Sequence, residues 1–181
     1  MELKKWNRIS TELKFKNAWW SYKVDKYNLP DGSVGEYHYA FTHGSVFIIP
    51  VTAEGKIILV KQYRYLNDRF SIEFPGGGVK SENDHNKQAE KELIEETGFT
   101  GELTYAGMFN PYNGVTNEIC KVYIARNLKA SSAYKKDNSE EFIIYELTTD
   151  EIDKMISGNE IYDGMTLASW ALVKEKISNI L

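Results

Sequence analysis

The stretch GGGVKSENDHNKQAEKELIEETGF, residues 76–99, decides how this chain is read: a glycine run, a polar segment of helical composition, and a closing glycine followed by an apolar residue. The segment Asp84–Thr97 is rich in Glu, Lys, Gln and Ala and stops at Gly98, so its composition predicts a helix with a glycine C-terminal stop. On that helix Glu92, Glu95 and Glu96 stand at i, i+3 and i+4, which sets three carboxylates on one face about one turn apart. Ala89 and Leu93 supply the apolar stripe that holds the helix against a sheet. Glycines immediately before the helix allow the backbone to approach a ligand closely, because no Cβ intervenes and positive φ is open. Three glutamates alone read first as a solvated acidic face, and only their combination with the glycine run, the helix of fixed length and the closing glycine and apolar residue changes the reading.

Working outward, Ser71-Ile72-Glu73-Phe74 reads as a short strand running into Pro75 and the glycines, giving strand, glycine loop, helix. Upstream, Ser45–Val51 and Lys56–Tyr63 are apolar and rich in β-branched residues, joined by a turn at Glu54-Gly55, and read as central strands. Residues 1–42 alternate aromatic and polar side chains around Pro30-Asp31-Gly32 and read as a β-hairpin extension preceding a domain over 43–181. Downstream, strands are expected over Leu103–Phe109, Ile119–Ala125 and Glu141–Leu147. A helix announced by the Thr148 to Glu151 capping box follows, and then one over about Asp163–Ser178. Many strands with few helices, in no regular βαβ alternation, indicate an α+β fold.

The chain has 181 residues, the size of one ordinary domain with an extension. Lys and Arg total 22 against 26 Asp and Glu, a net charge of −4, so no broad cationic field exists to attract nucleic acid. Its single cysteine, Cys120, lies in an apolar run and reads as a buried thiol. No segment reaches the ~20 apolar residues of a membrane span, nor does the N-terminus look like a secretory signal, so a cytoplasmic protein without a membrane partner is expected. His38, His43 and His85 lack the spacing of zinc ligands.

The glycine run, the helix and its three glutamates resemble the Nudix box: Gly, five residues, Glu, seven residues, Arg-Glu, an apolar residue, any residue, Glu-Glu, any residue, Gly, apolar. Starting at Gly77, the pattern is met by Glu92, Leu93, Glu95, Glu96, Gly98 and Phe99; Asn83 replaces its first glutamate and Lys91 its arginine. Beyond the box, KQYRY (61–65), IEFPGGG (72–78), NPYNGVTNE (110–118), SEE (139–141) and GNEIYDGMTLAS (158–169) are similar in order and spacing to ADP-ribose and related nucleoside-diphosphate-sugar pyrophosphatases. Pro111 stands twelve residues after Phe99, nearer than the proline those ADP-ribose enzymes usually carry, which leaves the sugar open.

The resemblance implies a Nudix fold, a mixed β-sheet sandwiched between helices, whose N-terminal hairpin packs across a homodimer. It implies metal-dependent hydrolysis of the pyrophosphate bond of a nucleoside diphosphate sugar, of ADP-ribose or GDP-mannose type. Hard oxygen donors suit Mg²⁺, with Mn²⁺ as a substitute, so Glu92, Glu95, Glu96 and the Gly77 carbonyl are the expected ligands. Glu95 and Glu96, with Glu140 or Glu141 from the acidic loop as general base, are the expected catalytic residues. Substrate contacts are expected from Arg64, whose planar fork suits a phosphate, and from Glu73, Gly77, Gly78 and Glu118, with Tyr65, Trp20 or Tyr22 to stack a base. The departures at Asn83 and Lys91 motivate a second reading, a degenerate Nudix module that binds nucleotide or metal without turnover. A nucleoside-triphosphate hydrolase is disfavoured by the long N-terminal extension.

Overall fold

The computed structural model describes residues 3–80, 85–132 and 141–178. Its strands are β1 (Asn7–Lys16), β2 (Ser21–Asn28), β3 (Val34–Phe41), β4 (Ser45–Pro50), β5 (Ile57–Arg64), β6 (Arg69–Glu73), β7 (Gly76–Gly78), β8 (Phe99–Phe109), β9 (Cys120–Ala130) and β10 (Ile143–Leu147). Its helices are α1 (His85–Thr97), α2 (Thr149–Ser157) and α3 (Gly164–Ser178).

Strand β4 is buried at every position, as its near-continuous apolar sequence requires of a strand covered on both faces. It runs parallel to β9 and antiparallel to β7, within a sheet ordered β7-β4-β9-β8. One face carries Val46, Ile48, Tyr123 and Ala125 and packs on Ala89 and Leu93 of α1. Phe47, Ile49, Val122 and Ile124 share a second core with Ile57, Leu59, Ile72 and Phe74 of an antiparallel sheet ordered β10-β5-β6, and with Ile152, Trp170 and Val173 of α2 and α3. Helices thus lie on both sides of a mixed sheet, in keeping with the expected Nudix fold, and a second small sheet forms one layer of the sandwich. The Thr148 box closes as expected: its Oγ1 accepts from Glu151 N at 3.3 Å, and its own N–H donates to Glu151 Oε2 at 2.8 Å. Asp153 then ties α2 to α3 by accepting from Trp170 Nε1 at 2.8 Å and Lys174 Nζ at 2.6 Å. These bonds, the Lys174 one first, hold its carboxyl below the ordinary carboxylate range.

Two readings need correction. The N-terminal region is a three-stranded antiparallel sheet, β1-β2-β3, and not a lone hairpin: β2 and β3 form the expected hairpin, and β1 adds a strand along β2. All ten residues of β1 are exposed, so no buried stripe marks it in the sequence. The three glycines, expected as a loop, form β7 and pair with Ser45, Val46 and Phe47.

The N-terminal sheet is stitched to the loop between β8 and β9. Asn117 accepts from Thr42 N at 2.9 Å and donates to Thr42 O at 3.0 Å; Ala40 N donates to Val115 O at 2.9 Å, and Tyr37 OH to Gly114 O at 3.1 Å.

Candidate active site

Positive φ is not what the glycines of β7 provide, since none of the three has it. Space is. A Cβ on Gly76 would lie 2.4 Å from the Val46 carbonyl oxygen, and one on Gly77 would lie 2.3 Å from Glu92 Oε1. The β7 backbone therefore lies directly against the acidic face of α1. Gly76 N donates to Glu96 Oε2 at 3.1 Å, and Glu96 is only 7% exposed. Left-handed backbone is used instead at Gly98 (φ 77°), which ends α1 as expected while its N–H reaches Ile94 O at 2.9 Å.

The three glutamates sit on α1 as the spacing demands, each with a different neighbour. Glu92 accepts from Gln88 Nε2 at 2.5 Å, Glu95 from Lys91 Nζ at 2.7 Å, and Glu96 from the β7 backbone. Among the described residues no three carboxylate, imidazole or thiol groups converge as a ready-made metal site. The donor chemistry nevertheless fits a hard divalent cation: oxygen ligands on consecutive turns, with a backbone pressed against one of them. Glu95, exposed and paired only at the helix surface, has to turn from Lys91 to join the other two.

Beside β7 opens a cleft of about 500 Å³. Of the expected substrate residues it is lined by Arg64, Glu73, Gly77, Gly78 and Glu118, brought together from β5, β6, β7 and the loop before β9. Glu73 is 1% exposed and takes Arg64 in a two-point grip: Nε donates to Oε1 at 2.8 Å and Nη2 to Oε2. That grip, helped by the charges of Asp163 and Glu96, raises the guanidinium pKa above its ordinary value although burial works the other way. Arg64 is thereby fixed at the cleft, and its Nη1 makes no hydrogen bond among the described residues.

Other expected residues are not brought to this cleft. Tyr65 is 82% exposed in a short 3₁₀ turn, and Trp20 packs against Phe15 on the N-terminal sheet with ring centroids 5.8 Å apart. Tyr22 donates to or accepts from His38 Nδ1 at 2.7 Å on the same sheet. Glu141 is exposed just before β10, and Glu140, like Glu82 and Asn83, lies outside the described residues. Conversely, the cleft holds Asn67, Arg69, Ser71, Tyr162 and Asp163, which sequence reasoning did not single out. A usable signal existed for Arg69 and Ser71, because alternation along β6 puts them on the same face as Glu73. Cys120 is buried as expected, and desolvation pushes its thiol up to about 12. No helix among the described residues is long and apolar enough to cross a membrane.

Comparison with known proteins gives this geometry its context. The NUDIX domain family model matches residues 41–163. The chain is 32% identical over 145 residues to an ADP-ribose pyrophosphatase of Bacillus subtilis, covering 79% of this chain and 78% of the relative. It is 33% identical over 161 residues to a methanol dehydrogenase activator of Bacillus methanolicus, covering 88% and 87%. A crystal structure of an ADP compounds hydrolase shares the fold with a TM-score of 0.82 at 16% identity, over 99% of this chain and 98% of that one. With a family match over most of its length, and with Glu92, Glu95 and Glu96 set on the helix against a glycine backbone, the chain belongs to the Nudix hydrolase family.

Proposed function

We propose that this enzyme hydrolyses the pyrophosphate bond of a nucleoside diphosphate sugar in the cytoplasm, giving a nucleoside monophosphate and a sugar phosphate. ADP-ribose and GDP-mannose type sugars are the candidates, and the Bacillus subtilis relative's name favours the first. The observation that carries the reading is an arginine and a bare glycine backbone on one cleft, with buried Glu96 of α1 bonded to the far side of that backbone through Gly76 N. A diphosphate carries about two negative charges that repel hydroxide, so its hydrolysis calls for cationic groups around the phosphoryl oxygens. Mg²⁺, or Mn²⁺ in its place, held by Glu92, Glu95, Glu96 and the Gly77 carbonyl, would neutralise those oxygens and acidify a water. Arg64, braced by Glu73, contributes Nη1 to a phosphate, while Gly77 and Gly78 let the diphosphate lie close to the chain. Glu118 lines the same cleft, and Glu140 or Glu141 is the proposed general base.

The test is a panel of nucleoside diphosphate sugars incubated with Mg²⁺ or Mn²⁺, with products identified by mass. One sugar nucleotide should be cleaved to a monophosphate and a sugar phosphate, and excess chelator should abolish it; full activity in chelator would refute the metal's role. Binding without turnover of any member would establish the degenerate module suggested by Asn83 and Lys91.

Residues 1–42 are proposed to build a homodimer. Trp6, Ile9, Leu13, Phe15, Trp19 and Val34 all exceed half exposure on a sheet too thin to cover them, and apolar area of that kind is usually an interface. Within that reading, Trp20 and Tyr65 stack a base only where a second copy brings them to a cleft. Light scattering at micromolar concentration should report twice the chain mass, and a monomer would refute the dimer.

A further inference from the structure

We propose that Arg69, held against Tyr162, is a second diphosphate-binding arginine of the cleft; this rests on the proposed function above. Arg69 and Arg64 are direct partners in the β5–β6 register, so both side chains leave the same face next to each other. Like charges directly opposite on a sheet repel. Arg64 is neutralised by buried Glu73, which occupies its Nε and Nη2. Arg69 has no such carboxylate: among the described residues its guanidinium takes no hydrogen bond or ion pair and only stacks, with Cζ 3.6 Å from the centroid of the Tyr162 ring.

Stacking uses the face of a guanidinium and leaves its N–H edge free, so the group is oriented without being spent. The ring is itself fixed, because Tyr162 OH donates to Phe70 O at 2.7 Å, tying the α2–α3 connection to β6. Asp68, next to Arg69 in sequence, accepts from Tyr63 OH at 2.7 Å, and Asp163, next to Tyr162, accepts from the Thr166 N–H at 2.7 Å at the start of α3. Two adjacent guanidiniums, one braced by a carboxylate and one by a ring, with open N–H groups on a shared cleft, suit a ligand with two linked phosphates. Arg64 serves one phosphate through Nη1 and Arg69 the other through its fork. Tyr162 is a positioning residue.

The experiment measures inorganic pyrophosphate binding by calorimetry in Mg²⁺ buffer, and ADP-ribose kinetics, for wild type, Arg69→Ala, Arg69→Lys, Tyr162→Phe and Tyr162→Leu. Arg69→Ala should weaken pyrophosphate binding at least tenfold and raise KM similarly, with kcat within threefold and melting temperature nearly unchanged. Arg69→Lys, keeping the charge without the fork, should recover part of the affinity. Tyr162→Phe keeps the ring face but loses the bond that fixes it and should lose two- to threefold, whereas Tyr162→Leu loses the face as well and should lose three- to tenfold. Equal pyrophosphate affinity in wild type and Arg69→Ala, or no binding to wild type, overturns the proposal and returns Arg69 to a surface stacking role; an unchanged Tyr162→Leu overturns the positioning role. If no nucleotide sugar is cleaved yet pyrophosphate binds through Arg69, the proposed function fails and the arginine's role stands. Turnover of ADP-ribose with Arg69→Ala unaffected has the opposite meaning.

Discussion

Glu96→Gln should lower turnover by ~10²-fold or more while leaving the protein folded, as expected when one strong electrostatic contact to the transition state is lost. Glutamine keeps the shape of the side chain and an oxygen able to accept from Gly76 N, so the junction of β7 with α1 survives. What disappears is a negative charge. In chelator that loss relieves repulsion from Glu92 one turn away and from Glu95 beside it, so the melting temperature should hold or rise. Added Mg²⁺ should then stabilise the variant less than it stabilises wild type. A turnover change below about threefold would move the reaction away from this helix.

The second large effect separates neighbouring glycines. Gly77→Ala drives a Cβ into the Glu92 carboxylate, a flexible side-chain end that can swing away, so the fold should persist with little change in melting temperature. Activity should fall on the order of 10²-fold, because a displacement of about 1 Å in a positioning group suffices for that. Gly76→Ala meets the Val46 carbonyl and the Phe47 ring, and a backbone carbonyl in a paired strand has nowhere to go. It should cost about 1–3 kcal/mol of stability, as overpacking does. A Cβ on Gly78 meets nothing within 4 Å, so Gly78→Ala should leave the melting temperature nearly unchanged, and by filling space beside the diphosphate it should raise KM more than it lowers kcat. Thermal melts and single-substrate kinetics on the three variants check the pattern, and identical behaviour at all three positions would overturn it.

Local chemistry explains what was legible in the sequence. Helix α1 declares itself through composition, its Ala89 and Leu93 stripe and Gly98; β4 and β5 through unbroken apolar runs; α2 through a capping box whose partners are three residues apart. Each signal is contained in a few consecutive residues. Features that escaped depend on distant partners. Strand β1 is exposed throughout and takes its register from β2, with irregularities between Arg8 and Ser10 and between Leu13 and Phe15. Three glycines have little strand propensity of their own, and β7 exists because β4 offers it an edge. Tyr162 enters the cleft through a bond to Phe70 formed across 92 positions of chain, which no local pattern encodes. The sequence offers Arg64 as a fork for a phosphate, and its commitment to Glu73 became visible only through the β5–β6 register.

The bonds from Asn117, Ala40 and Tyr37 across to the 110–119 loop bear on how this protein can be divided. Glu118 belongs to that loop and lines the cleft, and Asn110 Nδ2 donates to the Glu118 carbonyl at 2.9 Å. A shortened version beginning where the family match begins, at residue 41, would keep every box residue and still lose Ala40 and Tyr37 from the seam. The first strands line no part of the cleft themselves and act as a buttress for the loop that does. A protease nick or a deletion in them, far from α1 in sequence, is expected to loosen that loop and with it Glu118.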